Sequence, residues 1–305
     1  MKYAYYCCLA IGLFICNTLQ SQFYFSTGNN PEPELLWEFG GSIGVVNCLT
    51  DIGGNSGTGK KFIKDINWTK TQLCGSMFAS ASFNSGIAVR LEAMLGQITG
   101  NDDVLKNRVD ISHARYLRNL QFKTNIIELS LLTEWHLVTL FAKNKDPQLL
   151  SPYLIGGIGA FNYTPKTKIN NVWVDLRPLH TEGEGFKEYP GRSEYGSFSW
   201  CIPLGAGLKY DLGGLVTFRF EFLYRFTGTD YLDDVSKNYI DPSLFSKYLS
   251  PTEAALAIKL ADRSAELPAG LKNNVSDIRG NPKNNDAYFS CMIKAGFALG
   301  RIKHK

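Results

Sequence analysis

The chain has 305 residues, of which 44% are hydrophobic, 13% aromatic and 20% charged, with 29 glycines and a formal net charge of +4. Its length fits one large domain or two ordinary ones, and its apolar content excludes a disordered chain. The small positive balance is dispersed rather than gathered in a dense basic block, which argues against nucleic acid as a partner.

The N-terminus reads as an export signal. Lys2 supplies the positive region, Ala4 to Ile15 an apolar run of about a dozen residues, and Thr18 to Gln22 a small-residue cleavage site, placing the signal at residues 1–21 and the mature chain at 22–305. The run is shorter than the roughly twenty residues of a spanning helix. Bulky Ile15 before Cys16 argues against lipidation. After cleavage Cys48, Cys74, Cys201 and Cys291 remain, without a CxxC spacing, so neither a zinc site nor a disulfide framework is expected.

Next comes a series of alternating segments. Trp37 to Cys48 sets Trp37, Phe39, Ile43 and Val45 against Glu38, Gly40, Ser42 and Gly44, the period of a strand. Gln72 to Ser82 turns through Phe83–Gly86 into Ile87 to Gln97, where Arg90 and Glu92 oppose Val89, Leu91 and Leu95. Asn125 to Leu137 repeats the pattern, with Glu128, Glu134 and His136 on the polar face. Pro152 to Tyr163 is another strand, its faces obscured by glycine. Ser197 to Tyr210 and Val216 to Phe226 form a hairpin over Asp211–Gly214, and Arg219, Glu221 and Arg225 share the second strand's polar face. Ala287 to Ile302 is the last strand.

Eight strands joined by connections that run long, short, long, short, long, short, long, in an exported chain, match an eight-stranded antiparallel transmembrane β-barrel of the outer membrane, with short periplasmic turns and long extracellular loops. A secreted β-sandwich does not account for that sorting of loops. Closure follows because an open sheet edge in hydrocarbon leaves backbone groups unpaired. So narrow a barrel is filled by its own side chains, so Glu38, Arg90, Glu92, Glu128, Glu134, Arg219, Glu221 and Arg225 are expected to form an ion-pair network inside, which disfavours a diffusion pore.

The other motifs have plainer readings. Gly54 to Lys61 nearly spells a phosphate-binding loop, but Lys61 stands where Ser or Thr would bind magnesium, and no helix follows. The histidines lack ligand spacing, although His180 beside Glu182 and Glu184 could serve a barrel hydrolase if a nucleophile lay near. Cys48 and Cys74 could form a disulfide between the first two strands or remain free thiols. The connection between Thr229 and Asp286, about sixty residues long, far exceeds an ordinary strand connection. In it Ser250-Pro251-Thr252-Glu253 is a capping box, predicting a helix through Arg263 with Leu256 and Leu260 packed onto the loop. Asp233, Asp234 and Asp286 at its ends could gather calcium, but pairing with Arg225, Arg263 or Arg279 is the favoured reading.

Three stretches carry a resemblance: Trp173-Val174-Asp175-Leu176-Arg177-Pro178-Leu179-His180-Thr181-Glu182-Gly183, Thr229-Asp230-Tyr231-Leu232-Asp233-Asp234-Val235-Ser236, and Arg279-Gly280-Asn281-Pro282-Lys283-Asn284-Asn285-Asp286. They resemble the signatures of the PorG family, small outer-membrane barrels of the type IX secretion system of Bacteroidetes. His180 stands where that family would have glycine, a departure that bears on the local turn. The resemblance implies a non-enzymatic component associating with a periplasmic ring of PorK and PorN, with no catalytic residue, cofactor or metal. Asp230, Tyr231, Asp233, Asp234, Arg263, Arg279, Asn281, Pro282 and Asp286 are the loop residues singled out with it. The partners so implied are outer-membrane lipids and the ring proteins, without nucleic acid or a small-molecule substrate. The alternatives are a surface-binding barrel, for lipopolysaccharide or a host ligand, and a lipid-active enzyme.

Overall fold

The structure is a computed structural model that describes residues 35–54, 67–83, 85–106, 113–141, 149–212, 215–268 and 272–299. The expected signal peptide, most of the run 54–61, and parts of the short turns lie outside the described residues.

Among the described residues there are nine strands, eight from the alternating segments and one further short one, β6: β1 (Leu35–Leu49), β2 (Gln72–Phe83), β3 (Ile87–Asn101), β4 (Gln121–His136), β5 (Leu150–Ile169), β6 (Val172–Asp175), β7 (Phe198–Asp211), β8 (Val216–Thr227) and β9 (Ala287–Leu299). Eight close into an antiparallel transmembrane barrel, because β9 pairs with β1 from Trp37↔Leu299 to Leu49↔Ala287. The short β6 stands outside the ring and extends β5 as a hairpin. The described parts of the long connections 50–71, 102–120, 170–197 and 228–286 share one end, as the alternation predicts. Among the described residues four short helices decorate the connections: α1 (His113–Arg118), α2 (Leu137–Phe141), α3 (Phe245–Tyr248) and α4 (Pro251–Ala261). None of the described helices is long and apolar enough to cross a membrane.

Each strand has an outer face for lipid and an inner face for its neighbours. Ile43 is 72% exposed while adjacent Ser42 is 9% exposed, and Met77, Ile158, Phe220 and Ile293 repeat the outward pattern around the ring. An apolar belt of this extent would be a liability in water and is what a bilayer requires. On β5, whose faces glycine obscures in the sequence, Tyr153, Ile155, Phe161 and Tyr163 point inward.

The expected network fills the bore. Arg90 lies 2.6 Å from Glu221, 2.9 Å from Glu134 and 3.1 Å from Glu92. Arg219 bridges Glu38 at 2.9 Å and Glu134 at 3.1 Å, while Arg225 meets Glu128 at 2.8 Å. Two lysines complete it: Lys209 pairs with Glu38, and Lys294 with Glu92 and Glu221. Five carboxylates thus face five cations, a balance that the eight residues singled out from sequence lack. Both lysines alternate with outward residues, Leu208 and Ile293, so strand parity could have found them. Burying ions is costly, and the cost is offset only when every charge is paired and hydrogen-bonded. The Tyr153, Tyr288 and Thr217 hydroxyls supply further bonds to Glu221, Glu128 and Glu38. The ring of Phe78 lies beneath Arg90, Arg219 and Lys294. Phe78 fits because Gly40 faces it; a Cβ there would come within 2.6 Å of the ring.

Above this charged layer the bore is apolar, built from Val46, Met94, Ile98, Phe122, Ile126, Phe161 and Tyr288. Leu232 and Val235 of the last connection insert into it, both fully buried, and the Thr124 hydroxyl donates to the Leu232 carbonyl at 2.6 Å. The barrel is filled by its walls below and plugged by a loop above.

The Cys48–Cys74 disulfide does not form; both are free thiols. Cys74 stands opposite Gly44, four residues along β1 from Cys48. At about 3.3 Å per residue this offset is near 13 Å, beyond the roughly 7 Å between Cα atoms that a disulfide can span.

Candidate functional site

The long connections fold over the mouth of the barrel as a cap with its own core: Leu176, Leu179 and Phe186 from the 170–197 connection against Ile240, Phe245, Ala254, Ala257 and Leu260 from the last one. Helix α4 is placed by the expected capping box, in which Ser250 Oγ accepts from the Glu253 N–H and Glu253 reaches back to the Ser250 N–H. It stops at Ala261, two residues before the expected end, because Asp262 leaves helical geometry at φ −133°, ψ 108°. Leu260 is buried, and Leu256 packs at the edge of the same cluster.

The polar centre of the cap is Glu182, fully buried. It accepts hydrogen bonds from the Ser236 N–H, from the Lys237 N–H at 2.8 Å and from Arg279 at 2.9 Å. Arg279 also donates to the Asp234 carbonyl at 2.7 Å and the Ala261 carbonyl at 3.1 Å. Glu182, Asp234 and Arg279 belong one each to the three stretches that carry the family resemblance, which therefore converge on one buried node.

Carboxylates tie the node to the rest of the rim. Asp233 accepts from the Ile52 N–H at 2.8 Å and Asp286 from the Leu232 N–H at 2.8 Å. Asp51 accepts from the Asn281 N–H at 2.6 Å. Asp234 accepts from the hydroxyls of Thr181 and Tyr195, and Tyr195 stacks on Tyr231 at 4.5 Å. Arg118 donates to Asp102, to the Asp51 carbonyl and to the Arg279 carbonyl. Loops from four corners of the barrel are pinned together by these contacts.

Of the pairings expected for the loop-end aspartates, only Asp234 approaches a named arginine, Arg279, at 3.8 Å. Asp233 and Asp286 instead accept from backbone N–H groups, because Arg225 is engaged with Glu128 inside the barrel and Arg263 with Glu266. Arg263 also reaches Thr167 and the Lys168 carbonyl. Asn281 and Pro282 are exposed, so the third stretch enters the node through Arg279 and Asp286. Among the described residues no group of three His, Cys, Asp or Glu side chains could hold a metal ion.

Crowded burial shapes the electrostatics. Burial, with neighbouring Asp51, pushes Asp230 up to about 8. Burial with Asp234 and Glu182 pushes Glu184 up to about 8. Burial raises Asp234 to about 6, against the pull of Arg279. Asp233 and Asp286 move well above the ordinary aspartate range for the same reason, burial among neighbouring carboxylates.

His180 adopts φ 48°, ψ 50°, a left-handed conformation closing the short helical turn Arg177–Leu179. Glycine takes that conformation without steric cost, which explains why a glycine suits the position. The His180 ring rests on Phe186 at 5.9 Å. Sequence reasoning named Glu182 and Glu184 only as neighbours of His180 and missed Tyr195, Arg118 and Asp51 as contributors to this site. Their signal, charged or hydroxyl groups in long polar loops, does not differ from that of a solvated surface.

No protein-family model matches the chain, and no curated protein matches it. The solved structures it is similar to include the following three. Ail, the attachment invasion locus protein of Yersinia pestis, solved with the heparin analogue sucrose octasulfate, is 10% identical over 86% of this chain and 99% of its own, with a TM-score of 0.35. The N-terminal β-barrel domain of Pseudomonas aeruginosa OprF is 9% identical over 88% and 100%, with a TM-score of 0.32. Neisserial surface protein A is 8% identical over 86% and 95%, with a TM-score of 0.33. At these values the likeness adds nothing to what the strand pairing itself shows.

Proposed function

We propose that this barrel sits in the outer membrane as a non-enzymatic component of a protein secretion machine of the type IX class, as its resemblance to the PorG family implies. The observation that carries the reading is the convergence of all three signature stretches on Glu182, Asp234 and Arg279. Sequence stretches far apart in the chain that meet in one buried polar node form a single structural unit, which supports treating the resemblance as one shared design. The filled bore is consistent with it: a barrel without a channel acts through its two ends, as an anchor or adaptor.

The node folds the outer cap, so the signature residues have a structural task at that end. A periplasmic ring of the PorK and PorN kind would be met from the other end, by the turns at 83–86, 138–150 and 211–214 and the mature N-terminal leader. Crosslinking in intact cells, followed by partner identification, tests this. Ring lipoproteins should be recovered with the native chain and lost when the three turns are replaced while the cap is kept. Unchanged recovery after replacement, or ring proteins absent from the native crosslinks, overturns it.

A further inference from the structure

One cavity in the cap is unused by the node. It has a volume of about 250 Å³ and is lined by Arg177, Pro178, His180, Glu184, Glu194 and Tyr195. That is below the roughly 300–1,000 Å³ of drug-sized ligand sites and, at about 30 Å³ per water, equals about eight waters.

The lining has both signs of charge, and its charges are not used on one another. Among the described residues the guanidinium of Arg177 and the carboxylate of Glu194 form neither a side-chain hydrogen bond nor an ion pair. Glu184 is only 1% exposed; its Oε2 accepts from the Glu182 N–H, while its Oε1 meets no hydrogen-bond partner. An orphaned buried carboxylate oxygen is costly, and a donor entering the cavity would relieve that cost. Tyr195 forms an aromatic wall, held by its bond to Asp234 and its stack on Tyr231. A bare metal ion is a poor occupant with Arg177 in the lining, and a simple anion is a poor one beside the Glu194 carboxylate.

We propose that this cavity binds a small zwitterion, its ammonium group against Glu184, Glu194 and the Tyr195 ring and its anionic group against Arg177 and His180. Burial and the neighbouring Asp234 and Glu182 hold the Glu184 carboxyl up near 8, and an incoming ammonium would favour its charged form. The inference goes beyond the secretory reading and does not rest on it. Both a free amino acid or short peptide and an ethanolamine-type lipid headgroup carry this chemistry.

The test uses the full chain in detergent micelles and saturation-transfer NMR with L-alanine. Alanine should give a signal, and its two halves, ethylamine and propionate, should each bind about tenfold more weakly. Arg177→Ala and Glu194→Gln, both at the open side of the cavity, should each weaken alanine binding about tenfold while the circular dichroism spectrum stays native. Stronger displacement of alanine by glycylglycine assigns the source to peptides; stronger displacement by O-phosphoethanolamine assigns it to headgroups. No signal from alanine, glycylglycine or O-phosphoethanolamine at about 10 mM overturns the proposal. So does ethylamine or propionate binding as well as alanine, or alanine binding unchanged in both variants.

Discussion

Arg279 donates to Glu182 at 2.9 Å with both side chains sealed from solvent, although 97 residues separate them in the chain. The pair joins the connection before β7 to the connection before β9, and the backbone N–H groups of Ser236 and Lys237 share the same carboxylate. Removing one partner of a buried pair leaves the other uncompensated, which costs about 3–5 kcal/mol. Arg279→Ala and Glu182→Ala should therefore each loosen the cap while leaving the barrel closed. Hydrogen exchange should rise across 229–286 in both variants and stay low in β1 to β5.

The raised carboxylates of the cap set a pH dependence of definite sign. In the folded cap Asp234 titrates near 6 and Asp230 and Glu184 near 8, whereas in an opened loop they titrate at about 4. Between those values the folded cap binds more protons than the open one. Their contribution to stability is full below about pH 4 and is lost as pH climbs to 8. Protease cleavage within the last connection is expected to accelerate from pH 6 to pH 9, with the strands unaffected. A cap that loosens on acidification over the same range would contradict this account.

The balanced bore makes a further prediction. Arg90 faces Glu92, Glu134 and Glu221 at once, so Arg90→Met strands buried carboxylate charge and should cost about 3–5 kcal/mol in denaturant unfolding. The native protein, its bore filled by the network and by Leu232 and Val235, should show no steady conductance in planar bilayers.

The outer belt is tested by polarity. Phe220 and Ile293, opposite each other on β8 and β9, are exposed on the outer face. Ile293→Arg should destabilise the barrel by about 2–4 kcal/mol if the site lies near the bilayer midplane. Lys294→Arg next to it should instead report on packing against Glu92 and Glu221.

The cysteines are expected to stay reduced. Non-reducing peptide mapping should recover Cys48 and Cys74 as separate thiols, and blocking reagents should reach buried Cys74 only after unfolding.

Much of this protein was determined by its sequence alone. A period of two repeated eight times, with Ile43 and Phe220 on one parity and Glu38 and Glu221 on the other, dictates strands with a lipid face and an ionic face. The alternation of long and short connections then orders those strands into a barrel. The α4 capping box was equally legible, because its bonds are local to Ser250 and Glu253. Tertiary structure decided what distance in the chain conceals. Strand register set Cys74 opposite Gly44 and kept the two thiols apart. Barrel closure brought Lys209 and Lys294 to carboxylates on other strands and so balanced the bore. The meeting of Glu182, Asp234 and Arg279 required the cap to fold first. No local pattern encodes a hydrogen bond across 97 residues, since its energy exists only where burial removes water as a competitor.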